Sequence, residues 1–224
     1  MSNLKSQSIW TLPEGIDDLL PSEAAKLEVC RTYALSHMKT WGYELVYPPI
    51  LEYLDSLLRG MDPELNLNTM KMVDQSTGRT VGVPADITPQ IARIESFMSN
   101  RQVSRLCYSG PVLKANSNRY PGSRNPIQIG AEIFGHDGPN SDVEVISLLH
   151  DLLNVLKIDS PVIELSDMGL FRKMCREASV EELAEHDILD ALLRRDMSDL
   201  RYSLTDWKVS SPISSKFEAL LELN

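Results

Sequence analysis

One stretch of alternating apolar and polar residues constrains the fold of this chain most. In residues 127–133 every second side chain is apolar, and the residues between them are Gln128, Gly130 and Glu132. Because successive side chains of a β-strand point to opposite faces of a sheet, the apolar set is expected to face a core. Residues 105–135 therefore predict two antiparallel strands joined by a long, mobile loop.

The other face of this predicted strand carries one amide and one carboxylate, from Gln128 and Glu132, with the side-chain-free Gly130 between them. Such a face fits a shallow floor for a small ligand, and an amino acid's ammonium group would suit the glutamate. The same alternation also fits a solvated outer face. The pattern alone leaves both interpretations open.

The rest of the chain predicts short strands and hairpins between helices, which favours an α+β fold with an antiparallel sheet flanked by helices. Strands are expected over residues 43–47, 69–73, 79–83 and 161–165, a loop over 61–68, and helices over 22–41, 50–59, 88–98, 139–157, 169–177, 181–195 and 198–224. The expected N-caps are Ser22, Thr88, and Asn140 or Ser141. The apolar stripes expected to be buried are Leu27, Cys30, Ala34, Met38 and Trp41 in the first helix and Val145, Leu149, Leu152 and Leu156 in the helix over 139–157.

The length of 224 residues and the hydrophobic content of 42% predict one large globular domain, or one domain with a small appendage. Residues 1–8 are expected to be a disordered tail. Residues 9–224 are expected to be one domain, in which residues 170–224 form a helical, insertion-like region. No helix stop signal follows the last apolar residues, so a C-terminally truncated chain is expected.

Composition and spacing argue against several classes of function. The formal net charge of −10 argues against a nucleic-acid surface, and no apolar run is long enough to span a membrane. Three widely spaced cysteines without a CxxC pair predict reduced, buried thiols in a cytoplasmic protein: Cys30, Cys107 and Cys175. The four histidines share no metal-ligand spacing, and both glycine-rich phosphate-binding motifs are absent. We therefore predict no metal and no cofactor.

Two further groups of residues are candidates for ligand binding. Asp86 and Thr88 follow a predicted strand, where ligand-facing groups often lie, although turn and cap roles explain them equally well. Arg119 and Arg124 lie in the loop that joins the two strands predicted over residues 105–135, with Lys114 just before it. These cations suit an anion such as phosphate or carboxylate, and they equally suit ordinary solvated loop charge.

Several blocks of the sequence resemble the regulatory subunit of ATP phosphoribosyltransferase, a family paralogous to histidyl-tRNA synthetase. The blocks are LPEGIDDLLPSEAAKLE, WGYELVYPPILEYLDSLL, MVDQSTGRTVGVPADITPQIARI and GPVLK…GSRNPIQIGAEIFGHDGPNSDVEVI. They lie in order between residues 10 and 156, and the resemblance is looser from Pro161 onward.

The resemblance implies the class II aminoacyl-tRNA synthetase fold, a six-stranded antiparallel sheet with flanking helices that is incomplete at the C-terminus here. The segment up to Glu52 is similar to the first motif of that class, which builds a homodimer interface, and residues 110–135 are similar to the second. The Gln and Glu of the synthetase's QxGxE pattern contact the amino group of histidine, which implies this role for Gln128 and Glu132. Asp86 and Thr88 align with the synthetase's PEGT segment, which implies that they belong to the same histidine site.

The departures from the synthetase pattern argue against aminoacylation. An arginine that holds ATP and the carboxyl group of histidine is replaced by Lys114, and its acidic partner by Asn116. Pro84 stands where related sequences tend to carry a cation. Lysine is a point charge without arginine's planar pair of donors, and loss of one positioned donor typically costs ~10²–10³ in rate.

The resemblance therefore implies a non-catalytic regulatory subunit. Such a subunit binds the short-form catalytic subunit in a hetero-octamer, activates it in the first step of L-histidine biosynthesis, and takes part in feedback by histidine. Two alternatives are a histidyl-tRNA synthetase fragment and a free-standing histidine sensor.

Overall fold

The structure, a computed structural model, describes residues 11–60, 63–98, 102–116, 123–163 and 167–222. The helices in these residues are α1 (Pro21–Thr40), α2 (Leu54–Leu57), α3 (Pro63–Asn68), α4 (Thr88–Phe97), α5 (Pro139–Val155), α6 (Met168–Ala178), α7 (Glu182–Leu193), α8 (Met197–Asp206) and α9 (Ser211–Glu222). The strands are β1 (Glu44–Leu45), β2 (Glu52–Tyr53), β3 (Met70–Val73), β4 (Thr80–Val83), β5 (Ser104–Pro111) and β6 (Ile127–Phe134). Segregated helices and strands of this kind are an α+β fold.

The chain divides into two compact units after Pro161. The first unit contains both sheets and helices α1 to α5, and the second contains α6 to α9. The second unit has its own apolar core, in which Phe171, Ile188, Leu200 and Phe217 are buried. The predicted helices over residues 169–177 and 181–195 are confirmed, whereas the insertion-like role of residues 170–224 stays a prediction.

The predicted antiparallel pairing of the two strands in residues 105–135 is confirmed. β5 and β6 are antiparallel, in a register that runs from Ser104 opposite Phe134 to Pro111 opposite Ile127. β1 pairs in parallel with β5 at the other edge, so this sheet has the strand order β1-β5-β6. β2, β4 and β3 form a second antiparallel sheet of three strands. The described residues thus form two three-stranded sheets with one parallel pair, which differs from the expected six-stranded antiparallel sheet.

One face of the β5–β6 pair packs on α1 and α5. Ala34 and Met38 of α1 and Leu148 and Leu152 of α5 are buried with Cys107. Ile129, Ala131 and Ile133 of β6 pack against this cluster, as the alternation predicts. An ion pair fixes α5 on the sheet: Arg105 Nε and Nη2 donate to the two carboxylate oxygens of Glu144 at 2.6 and 2.8 Å.

The opposite face of the β5–β6 pair packs on α4. Ile87, Ile91, Leu106 and Tyr108 are buried there, and Ile94 and Met98 pack against them. Tyr108 lies directly opposite Gly130 across the two strands. An added Cβ on Gly130 would overlap Cζ and the hydroxyl oxygen of Tyr108. The expected open floor above Gly130 is therefore filled by the Tyr108 side chain, because Gly130 has no side chain to keep the phenol ring away.

Two predicted apolar stripes differ from the buried sets. On α5, Leu149 is 49% exposed, and Leu148 is buried in its place. Apolar residues lie on several faces of this helix, so the periodicity could not select the one that packs. On α1, Cys30 is exposed, which corrects the prediction of three buried thiols. Only the C-terminal half of α1 packs on the sheet, whereas Cys107 and Cys175 are buried as expected.

Several predicted boundaries are also wrong. α1 begins at Pro21 with Leu20 as its N-cap, and α5 begins at Pro139 with Gly138 as its N-cap, because proline suits the first helical position. Residues 63–68 are helical instead of looped, residues 50–59 combine β2 with one turn of helix, and the strand over 43–47 is reduced to β1. Residues 161–163 form no strand, and residues 164–166 lie outside the described residues, as do residues 1–10.

In the described ranges, no helix combines the length and the apolar character that crossing a membrane requires. Equally, none of the side chains described there form a group of three or more His, Cys, Asp or Glu able to hold a metal ion.

The contact between Gly130 and Tyr108 predicts a position-specific cost for alanine. Gly130→Ala should destabilise the fold by about 1–3 kcal/mol, because the new Cβ overpacks a buried aromatic ring. Gly110→Ala is the matched control, since Gly110 lies on the paired strand and its added Cβ would meet only Ile87 Cδ1, at 3.4 Å. Denaturant titration checks both variants, and equal stabilities would contradict the packing described here.

The Arg105–Glu144 pair predicts a pH-dependent contribution to stability. Arg105 lowers the pKa of Glu144, so the pair stabilises the fold above the unfolded glutamate's pKa of about 4.3 and loses this contribution as pH falls further. The two side chains are 37% and 22% exposed, so solvent screening limits the expected loss in Glu144→Gln to about 1 kcal/mol at pH 7. Thermal unfolding between pH 3 and 7 should show the difference from wild type shrinking in acid.

Candidate functional site

Five polar side chains meet where the N-terminus of α4 crosses the β5–β6 pair. We call them the polar cluster: Asp86, Thr88, Tyr108, Gln128 and Glu132. Asp86 lies between β4 and α4, Thr88 is the first residue of α4, Tyr108 is on β5, and Gln128 and Glu132 are on β6. Because Gln128, Gly130 and Glu132 share one face of β6, the two β6 side chains flank the phenol of Tyr108.

One end of the polar cluster is built around the amide of Gln128. Its Oε1 accepts a hydrogen bond from the backbone N–H of Ile87 at 2.8 Å, and its Nε2 donates to Asp86 Oδ1 at 2.8 Å. The two contacts fix the amide's orientation, because the N–H must face oxygen and the carboxylate must face nitrogen. Asp86 Oδ1 also accepts from the backbone N–H of Thr88 at 2.9 Å, which holds the start of α4.

The other end joins two hydroxyl groups to the carboxylate of Glu132. Thr88 Oγ1 donates to Glu132 Oε1 at 3.1 Å and lies 3.1 Å from the hydroxyl oxygen of Tyr108. Tyr108 is also 3.4 Å from Glu132 Oε1. Thr88 therefore does not cap α4 as predicted: Ile87 is the N-cap, and the Thr88 hydroxyl is used by Glu132.

Burial dominates the electrostatics of the polar cluster. It raises the pKa of Glu132, and the nearby charge of Asp86 raises it further, while the hydrogen bonds from Thr88 and Tyr108 oppose the shift. Burial likewise raises the pKa of Tyr108 to about 12. Within the described ranges, no Lys, Arg or His side chain makes a hydrogen bond to the cluster. Two carboxylates that have no partner cation among these residues can bind the ammonium group of a small ligand.

The structure brings together four of the predicted site residues, whereas Lys114 and Arg124 make other contacts. Asp86, Thr88, Gln128 and Glu132 are in mutual contact. The side chain of Lys114 is exposed, and its backbone continues the strand pairing through a 2.8 Å hydrogen bond from its N–H to the carbonyl of Arg124.

Arg124 ties the base of the long loop to the N-terminal segment. Its guanidinium donates to the carbonyl oxygens of Lys114 and Glu14 at 2.9 and 3.0 Å. Its backbone N–H donates to the carbonyl of Gly15 at 2.6 Å, and Gly15 has a φ of +74° that favours glycine. Anion binding by Arg124 stays a prediction, and Arg119 lies outside the described residues.

Tyr108 is the member of the polar cluster that sequence analysis missed. The signal was present, because an antiparallel pairing that sets Pro111 opposite Ile127 also sets Tyr108 opposite Gly130. An aromatic residue facing a glycine across a strand pair indicates that the ring occupies the empty position.

Comparison with known proteins supports the resemblance found in the sequence. A family model described as histidyl-tRNA synthetase matches residues 15–224. The ATP phosphoribosyltransferase regulatory subunit of Alkalilimnicola ehrlichii is 44% identical over 96% of this chain and 54% of its own length. That of Thioalkalivibrio sulfidiphilus is 41% identical over 96% of this chain and 55% of its own length. The chain thus spans about half the length of these curated relatives.

Solved structures share the fold at lower sequence identity. An ATP phosphoribosyltransferase regulatory subunit/histidyl-tRNA synthetase from Bacillus halodurans matches with a TM-score of 0.83 and 21% identity, covering 94% of this chain and 55% of that one. Histidyl-tRNA synthetase from Nostoc matches with a TM-score of 0.78 and 12% identity, covering 96% and 49%. The predicted class II synthetase-like α+β fold is confirmed. The chain belongs to the histidyl-tRNA synthetase family, and its curated relatives there are regulatory subunits of ATP phosphoribosyltransferase.

Proposed function

We propose that this chain acts as a non-catalytic regulatory subunit of ATP phosphoribosyltransferase in the cytoplasm. It binds the short-form catalytic subunit in a hetero-octamer, raises its turnover in the first step of L-histidine biosynthesis, and takes part in feedback by L-histidine. The names of the curated relatives support the partnership, and the polar cluster supports the role of an amino acid.

The observation that carries the ligand part of the proposal is the unbalanced charge of the polar cluster. Oδ1 of Asp86 and Oε1 of Glu132 accept all the hydrogen bonds that the two carboxylates receive from described residues. The second oxygen of each carboxylate is left to accept from a ligand. An α-ammonium group supplies both the positive charge and up to three donors.

The ATP-binding part of a synthetase site is weakened in the same region. Lys114 and Asn116 replace the arginine and its acidic partner, and both are exposed. A single ammonium group on a flexible stem cannot reproduce the paired donors of a guanidinium. Amino-acid binding without aminoacylation suits a regulatory subunit better than a synthetase fragment.

Assembly is proposed through the segment similar to the first class II motif. Tyr47 and Ile50 are 68% and 62% exposed, and Leu51 is 41% exposed. Beside them Arg93 pairs with Glu52, and Gln90 Nε2 donates to Glu52 Oε1 at 2.9 Å, so the segment is held firmly on α4. An exposed apolar group on a rigid support suits a homodimer interface.

A reconstitution experiment tests the regulatory role. Adding the protein to a short-form catalytic subunit should raise turnover at saturating substrates, with a coupling free energy of about 1–3 kcal/mol. Unchanged turnover in a complex that size-exclusion chromatography shows to form would refute the proposal. Pyrophosphate exchange dependent on ATP and L-histidine would instead support the synthetase alternative.

The substitution Glu132→Gln tests the ligand site. Calorimetry should show L-histidine binding weakened by roughly 10–100-fold, because the ligand's ammonium loses an ionic partner. The same substitution should stabilise the ligand-free protein at pH 7. The folded pKa of Glu132 is raised, so its ionisation opposes folding as pH rises from about 4.3 through the folded value.

Glu144→Gln is the matched control, because Glu144 has a lowered pKa and an arginine partner. It should lose stability at pH 7 and keep its affinity for L-histidine. Retention of full L-histidine affinity by Glu132→Gln would contradict the proposed site. A free-standing sensor would bind L-histidine equally with and without the catalytic subunit.

A further inference from the structure

The hydroxyl group of Tyr108 connects the two ends of the polar cluster. Tyr108 is 3% exposed, and its hydroxyl oxygen accepts from Gln128 Nε2 at 3.4 Å. Each hydroxyl has one proton, so the two 3.1 Å contacts of Thr88 are satisfied together only if Tyr108 donates to Thr88 and Thr88 donates to Glu132. The result is one directed chain of hydrogen bonds, from Gln128 through Tyr108 and Thr88 to Glu132.

This chain uses up the donors of the polar cluster. Both N–H groups of Gln128 are engaged, one by Asp86 and one by Tyr108. The protons of Tyr108 and Thr88 both point along the chain towards Glu132. Among the described residues, the groups of the cluster left without a partner are acceptors, namely the second oxygens of Asp86 and Glu132. A site with only acceptors available favours a ligand that brings donors and positive charge.

We propose that Tyr108 is a positioning and specificity-determining residue, which holds the polar cluster in an acceptor-only arrangement and so selects ligands that have an ammonium group. The inference rests on the proposed function, because it assigns the selectivity of the site that would bind L-histidine. In Tyr108→Phe the ring still covers Gly130, but one Gln128 N–H is released and the Thr88 hydroxyl loses its donor. The site then offers a donor of its own, which favours ligands without an ammonium group.

The experiment compares two probes by calorimetry: L-histidine and 3-(imidazol-4-yl)propionate. The probes share the ring and the carboxylate, and only L-histidine has the ammonium group. Wild type should prefer L-histidine, and Tyr108→Phe should reduce the ratio of the two affinities by about fivefold to tenfold, as expected for one rearranged hydrogen bond. Thr88→Val breaks the same chain of hydrogen bonds at its next member and should reduce the ratio similarly. This second variant tests the inference even if Tyr108→Phe is too unstable to measure.

Tyr43→Phe is the matched control. Tyr43 is also 3% exposed, and its hydroxyl donates to a glutamate, Glu144, at 3.4 Å. It lies in the core formed with α1 and α5, so its loss should affect stability and leave the ratio unchanged. An unchanged ratio in Tyr108→Phe would overturn the inference, as would an equal reduction in Tyr43→Phe.

A second measurement separates failure of this inference from failure of the proposed function. Wild type that binds neither probe would refute the proposed ligand. In that case, NMR titration of the Glu132 carboxyl group without ligand tests whether Tyr108 connects the two ends of the polar cluster. The apparent pKa should rise in Tyr108→Phe, because Thr88 donates more weakly to the carboxylate once it no longer accepts a hydrogen bond from Tyr108, and it should stay constant in Tyr43→Phe. A constant value in Tyr108→Phe would overturn the inference.

Discussion

The antiparallel register of β5 and β6 is the constraint on which the first unit depends. It sorts the side chains of both strands into one set that packs on α1 and α5 and another that meets α4. A slip of one residue would exchange the two faces of a strand, placing Gln128 and Glu132 against the helical core. Burial of Ile129, Ala131 and Ile133 therefore holds the polar cluster in place as well as the sheet.

The two glutamates near this strand pair differ in how their charge is satisfied. Glu144 receives two hydrogen bonds from one guanidinium, and its pKa is lowered. Among the described residues, only hydroxyl groups donate to Glu132, which lies next to a second carboxylate and has a raised pKa. The first arrangement stabilises the fold, whereas the second opposes folding at neutral pH. A protein that retains an unfavourable charge in a half-buried position commonly does so for binding.

The synthetase-like fold by itself does not decide between catalysis and regulation, because one fold supports many functions. The side chains of the polar cluster are in mutual contact. Lys114, at the position where the resemblance implies a synthetase's ATP-holding arginine, is exposed, and its backbone serves the strand pairing. Arg124, a candidate anion ligand, donates instead to two backbone carbonyls. The structure thus supports ligand recognition more strongly than phosphate handling.

The sequence alone determined the strand pair, the apolar face of β6 and the shared face of Gln128 and Glu132, because a period of two fixes the face of every side chain in a strand. Asp86 and Thr88 were candidates for a different reason, because they follow a predicted strand. It also determined the family, through blocks such as ADITPQIARI and SRNPIQIGAE. Only the tertiary structure decided which face of α5 is buried, since that helix is apolar on several sides. Tertiary structure also decided that Tyr108 fills the space above Gly130 and that the Thr88 hydroxyl serves Glu132 instead of a helix cap. These outcomes depend on which atoms of distant segments meet and which hydrogen-bonding groups remain free, and no local pattern records either.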